Sequence, residues 1–306
     1  MRTRPSGVTA GKENGRATEE LYVRIAELNL YPVKSLSGIS LARATLGERG
    51  LAYDRHWMVV DQVGRFVTQR QMPGMARVTV RLEDDWLVLE HPEAQPLAIA
   101  LARRDQPRLT AYVWDDTCQA LDEGEEAGRW LTAVLGDLRG SALRLVRFDD
   151  DHRRPVESRY LQGEAAHTAF ADGYPFLIAS QASLDALNTA LQEKGLVPLP
   201  MNRFRPNIVV DGAAAFAEDG WREVAATEGH YRFGLRKPCQ RCKITTVDQT
   251  RGTIDVPGEP LQTLMQMQTQ PLRPGAYFGQ NATLLDGAEQ RIAVGDWLEA
   301  TPVAEC

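Results

Sequence analysis

The chain has 306 residues, of which 43% are hydrophobic and 25% charged, and a net charge of −6. That length allows one large or two ordinary domains with a sizeable core, and the negative charge gives no general attraction to nucleic acid. No apolar run reaches membrane-spanning length, and four cysteines with one close pair suit a reducing cytoplasm.

Residues 1–21 are polar, with Gly7, Gly11 and Gly15, and are expected to form a disordered lead without an export signal. Val23 to Leu30 reads as a strand whose apolar phase shifts at Ala26-Glu27, which predicts a bulge. Tyr31-Pro32-Val33-Lys34-Ser35 then reads as a strand edge or loop, and a lone Lys34 as a solvated surface residue. Gly47 to Arg55 is rich in turn residues and ends in Asp54-Arg55. Trp57 to Asp61 and Arg65 to Gln69 are predicted strands, and Val78 to Leu82 with Trp86 to Glu90 a hairpin. Leu97 to Leu101 and Leu109 to Trp114 add two more. Many short strands joined by tight turns predict a barrel or sandwich in the first half. Gly128 to Leu135 is a short amphipathic helix closed by Gly136.

Leu143 to Phe148 is the next strand, and Asp149 to Arg159 an exposed charged loop, better read as a solvated run than as an acidic metal site. Ala171-Asp172-Gly173-Tyr174-Pro175 is turn chemistry before the strand Phe176 to Ala179. Leu184, Leu187 and Leu191 mark one face of a helix running from Ser180 or Ser183 to Lys194-Gly195. Arg203-Phe204-Arg205-Pro206-Asn207 leads into the strand Ile208 to Val210. Two arginines and an Asn there could clamp a phosphate or carboxylate, or simply lie on the surface. Gln249 to Gly252 is a turn, and Pro260 to Met267 a helix with Leu261, Leu264 and Met265 inward. Phe278-Gly279-Gln280-Asn281 opens another strand, and the last strands surround Ile292 to Leu298. No Gly-rich phosphate loop is present.

Lys237-Pro238-Cys239-Gln240-Arg241-Cys242-Lys243 holds two thiols among basic residues. Arg236, Lys237, Arg241 and Lys243 are neighbours of the kind that favour a thiolate, the form that attacks and that binds metals. Ile244 to Val247 reads as a strand, which would give Cys242 the rigid mount and leave Cys239 on the looser side after Pro238. A zinc site would need a second ligand pair, whereas Cys118 and Cys306 stand alone. A thioredoxin-like dithiol would need a following helix, and a disulfide across two residues would be strained. Two ordinary thiols remain the competing reading.

Together, the cysteine segment, Arg203 to Val210 and Phe278 to Asn281 followed by Val294-Gly295-Asp296 resemble a MOSC domain. Tyr31 to Ser35 with Asp54-Arg55 and Trp57-Met58-Val59 resembles the β-barrel domain that precedes it. The pair is similar to the mitochondrial amidoxime-reducing component and its bacterial relatives. The resemblance implies a mainly β fold with a few helices. Residues 22–140 would form the N-terminal β-barrel-like domain and residues 141–306 the MOSC β-barrel.

The resemblance also implies a molybdenum–pyranopterin cofactor (molybdopterin) in the cleft between the domains. Cys242 would bind the metal, and Asp172 would lie near it. Lys34, Ser35, Arg55, Arg205 and Asn207 would hold the pterin and its phosphate, with Cys239 beside them. A soft thiolate suits such a metal. The implied activity is reduction of small N-hydroxylated compounds. The alternative is a carrier of the cofactor or of persulfide sulfur. No ferredoxin-type cysteine quartet is present, so electrons are expected from a separate ferredoxin, flavin reductase or cytochrome b5-type protein. The mitochondrial relatives' N-terminal anchor is matched here only by the polar lead, so no membrane attachment is expected.

Overall fold

The computed structural model describes residues 21–102 and 105–304, and the expected disordered lead lies outside them, apart from Leu21. The described chain is mainly β, with three α-helices. Seven strands close into a barrel. Their order is Ile208–Asp211, Phe176–Ser180, Tyr277–Asp286, Arg232–Gln240, Trp221–Ala226, Trp297–Pro302 and Leu21–Leu30, which pairs back onto Ile208–Asp211. Closure leaves the barrel no free edge. One contact, Phe176–Ser180 with Ile208–Asp211, is parallel, and the helix Gln181–Glu193 makes the crossover it requires.

Alternation along the strands explains the two apolar layers around the barrel. Phe176, Ile178, Ile208 and Val210 point into the barrel core with Val23, Phe233 and Leu298. Ala179 and Val209 point outward, under Leu187, Phe204 and Leu264. The bulge predicted in the first strand is present, as a register shift between Ile25 and Glu27.

A second, five-stranded sheet runs Arg108–Val113, Asp116–Asp122, Arg144–Phe148, Trp57–Val60 and Val33–Lys34. Its strand Trp57–Val60 is apolar throughout because both faces are covered. Trp57 and Val59 pack toward the helix Glu125–Leu135 and the meander Thr79–Glu83, Trp86–His91, Ala94–Ala100. Met58 and Val60 pack toward Phe148 and Phe170.

Four expectations are corrected. Arg65 to Gln69 is not a regular strand; it makes isolated bridges only, because the Asp61 carboxylate accepts from Val63 and Arg65 N–H and tightens the turn. The charged loop after Phe148 is not simply exposed. Asp149 and Arg154 are buried, Asp149 accepting from Arg108 and Arg154 donating to Asp116. Met265 faces out, at 47% exposure, while Thr263 and Leu264 are buried.

The fourth correction concerns the cysteines. Ile244 to Val247 is not a strand; Lys243–Thr246 forms a 3₁₀ turn. The hydroxyls of Thr245 and Thr246 bond back to the Cys242 and Lys243 carbonyls, which offers the backbone an alternative to a sheet. Arg203 also donates to the Thr246 carbonyl at 2.9 Å. The strand instead precedes the second thiol. Arg232–Gln240 includes Cys239, and register shifts on either side of Pro238 let the ladder absorb the proline.

Candidate functional site

The chain crosses between the two sheets several times, and two of the crossings bear on the site. After Leu30 it leaves the barrel and enters the five-stranded sheet at Val33–Lys34. After Phe148 it returns, reaching the barrel again at Phe176. Lys34 and Ser35 sit on the first crossing and Asp172 on the second. Buried Lys34 joins them: its Nζ donates to Asp172 Oδ1 at 2.6 Å and to the Phe170 carbonyl at 2.7 Å. Arg154 fixes the same loop by donating to the carbonyls of Ala169, Ala171 and Asp172.

Electrostatics follows from this packing. Although its side chain stays 59% exposed, partial desolvation raises the Asp172 carboxyl; Lys34 and Arg70 outweigh that and hold the group well below the usual carboxylate range. Burial lowers Lys34, against the opposing pull of Asp172.

A second cluster lies where Arg205 follows the Met201–Arg203 turn. The centres of the Arg55 and Arg205 guanidiniums each lie 4.3 Å from the Tyr31 ring. Arg55 is neutralised by Asp54 at 2.6 Å and also donates to Asn207 Oδ1 and to the Arg205 carbonyl. Asn207 is engaged on both sides. Its Oδ1 also accepts from Leu177 N–H, and its Nδ2 donates to the Asn29 carbonyl. Arg205 differs. Its Nη1 donates to Leu36 O at 2.7 Å, while its buried Nη2 has no hydrogen-bond partner. Burial pushes its pKa down to about 10, so it keeps its charge near neutral pH. A buried donor left unmatched costs about 1–3 kcal/mol, and an anionic ligand would remove that cost. Asp172 acts on Arg205 electrostatically, so the two clusters share one field.

The thiols lie beside these groups. Cys239 Sγ accepts from Arg241 Nη1 at 2.8 Å, and Arg241 Nη2 donates to the Phe204 carbonyl, next to Arg205. Cys242 is approached by Arg70, whose Nη1 is 3.7 Å from its sulfur. Gln69 ties this side to Ser35 and Arg205. Its Nε2 donates to the Ser35 carbonyl, and it exchanges hydrogen bonds with Gln249, whose Oε1 also accepts from Arg205.

The basic neighbours read from the sequence therefore divide. Arg241 reaches Cys239. Arg236 is turned away to Glu164 at 2.5 Å, and Lys237 stands by Glu157 and Tyr160. The cation beside Cys242 is Arg70, which the sequence reading missed. Trp114 was missed as well. Its indole N–H donates to Asp172 Oδ1 at 3.2 Å, and Arg70 lies 4.3 Å from its ring. A tryptophan followed at once by Asp115-Asp116 between two alternating runs could have marked a hairpin tip carrying an exposed aromatic.

Lys34, Ser35, Asp172, Arg205, Cys239 and Cys242 are thus linked through the contacts of Trp114, Arg70, Gln69, Gln249 and Arg241. Arg55 and Asn207 adjoin Arg205 and are held by other protein groups.

Two family models match the chain, the MOSC N-terminal beta barrel domain over residues 22–138 and the MOSC domain over residues 165–299. Mouse mitochondrial amidoxime-reducing component 1 is 35% identical over 264 residues, covering 84% of this chain and 74% of that protein. Rat mitochondrial amidoxime reducing component 2 is 36% identical over 252 residues, covering 78% of this chain and 71% of that protein. Molybdenum cofactor sulfurase 3 of Aedes aegypti is 28% identical over 295 residues, covering 92% of this chain but 36% of that protein. The chain belongs to the family of MOSC-domain proteins that includes the mitochondrial amidoxime-reducing components.

Proposed function

We propose that this protein is a molybdenum-cofactor-dependent oxidoreductase that reduces N-hydroxylated compounds. A molybdenum-cofactor-related function is supported by the family. The observation that carries the finer reading is the buried, unpartnered Nη2 of Arg205, which Gln249 and Gln69 tie to the loop bearing Arg70, the cation beside Cys242. That donor fits an anionic oxygen of a phosphate-bearing pterin, and the Cys242 thiol fits a soft metal. Arg205, Lys34, Ser35 and Cys239 would contact the cofactor. Arg55 and Asn207 would hold the floor beneath it.

When bound, the cofactor supplies the two-electron chemistry that removes oxygen from nitrogen. Converting N–OH to N–H with release of water consumes two electrons and two protons. Lys34 is the candidate proton donor, since burial makes its ammonium a better acid and Asp172 orients it. Electrons would come from a separate ferredoxin, flavin reductase or cytochrome b5-type protein.

Metal analysis and turnover of the loaded protein test this reading. Molybdenum near one per chain is expected. So is reduction of an aryl amidoxime with an artificial donor, but not with NADH alone. Labile sulfur without molybdenum would favour the carrier reading instead.

A further inference from the structure

Tyr112 lies in the strand Arg108–Val113 and Trp114 in the turn that follows it, and both line one cleft. They are 38% and 50% exposed, although large aromatic rings usually bury. Trp114 has a φ of +56°, a conformation that is a genuine outlier for a bulky residue. Strain of this kind persists where surrounding contacts over-determine it, and it clusters at functional sites. Here those contacts are the Asp172 hydrogen bond, Arg70 on the ring and Phe66 at 5.1 Å.

Cations and rings alternate here. Arg70, beside Cys242, lies on Trp114; Trp114 meets Phe66; and Arg65 lies 6.0 Å from the Tyr112 ring. Phe66, Tyr112 and Trp114 also line a cleft of about 460 Å³ with Arg65 and Arg139. Among the described residues neither arginine has an ion-pair partner. Asp61, also in the cleft, has its Oδ1 occupied by the Val63 and Arg65 N–H groups. Aromatic rings and two guanidiniums without ion-pair partners lining one cleft match a flat, conjugated molecule carrying a carboxylate or phosphate.

We infer that this cleft is a subsite for the distal, anionic end of a planar substrate whose reacting nitrogen lies on the Cys242 side of Trp114. The inference rests on the reductase reading for that reacting end; the anion subsite itself does not.

The test uses the loaded full chain and two aryl amidoximes, one with a ring carboxylate and one without. Their amidine products serve as unreactive binding probes in equilibrium dialysis. The double variant Arg65→Gln/Arg139→Gln should weaken binding of the carboxylate-bearing amidine by roughly tenfold. It should raise KM for the matching amidoxime similarly. kcat, and all constants for the pair without the carboxylate, should stay at wild-type values. Higher salt should weaken the wild type's preference for the carboxylate and leave the variant unchanged. Equal binding of the carboxylate-bearing probe by wild type and variant would overturn the subsite, as would equal losses for both probes. If the wild type reduces neither amidoxime yet binds the carboxylate-bearing amidine through the two arginines, the subsite stands and the reductase reading falls.

Discussion

Cys239 and Cys242 are three positions apart in the chain but occupy unlike regions of the molecule. Cys239 lies on a barrel strand whose register with Tyr277–Asp286 fixes its backbone, and its cation, Arg241, is a sequence neighbour. Cys242 lies past the end of that strand, at the start of a 3₁₀ turn, and its cation comes from 172 residues away. One thiol is therefore positioned by local structure and the other by the packing of two sheets against each other. The more rigid mount belongs to Cys239. The assignment of the metal to Cys242 thus loses its argument from sheet rigidity. It rests on family resemblance and on the company of Arg70, Trp114 and Asp172.

Separating the two thiols gives the largest expected effect. Changes one shell out from a metal already cost about 10–100-fold, so Cys242→Ser should lower turnover by more than that and alter the optical or paramagnetic spectrum. Cys239→Ser should keep the metal and a measurable part of the activity. The reverse pattern would move the metal ligand onto the strand.

Arg205→Ala asks whether the buried cation serves both thiols' surroundings. Losing one charge-assisted contact costs about 1.5–3 kcal/mol, so molybdenum content at limiting cofactor should fall about tenfold or more while the circular dichroism of the barrel is kept. Full loading of this variant would remove Arg205 from the site.

Arg70→Gln probes the loop side alone. One hydrogen bond is worth about 0.5–1.5 kcal/mol, so kcat/KM should drop roughly threefold to tenfold with metal content preserved. Unchanged kinetics would make the contact with Cys242 incidental.

Glu218 offers a control on the barrel away from both thiols. Its buried carboxylate accepts from Ser183 Oγ and Ser180 N–H, and burial pushes its pKa up to about 7. The native state therefore binds the proton more tightly than the unfolded chain does. Stability from this group should fall as the pH rises from about 4.5 toward 7. Glu218→Gln should flatten that fall, raising Tm by a few degrees at pH 8 but not at pH 5, with kcat unchanged. A variant whose Tm tracks the wild type across that range would show that the carboxyl does not titrate there.

Much of the barrel was legible from local pattern. Leu21–Leu30 with its bulge, Phe176–Ser180 and Ile208–Asp211, like Trp57–Val60 in the five-stranded sheet, are apolar or alternating runs, and burial against a sheet face requires such runs. Asp116–Asp122, Trp221–Ala226 and Arg232–Gln240 were not read. Their charged and polar residues face outward, or pair as Arg236 does with Glu164, and that blurs the alternation. The motif residues of the candidate site were also visible as types, because thiols beside arginines and lysines already suggest a soft metal and an anion.

The chain alone determined which residues carry this chemistry, since side-chain identity needs no fold. Tertiary structure decided their roles. Closing the barrel through Leu21–Leu30 carries Lys34 and Ser35 across to the five-stranded sheet, and the return loop sets Asp172 against Lys34. Arg70 and Trp114 acquire their places in the same way. Such pairs are fixed by strand register and sheet packing over long separations, which propensity and periodicity within a short window do not contain.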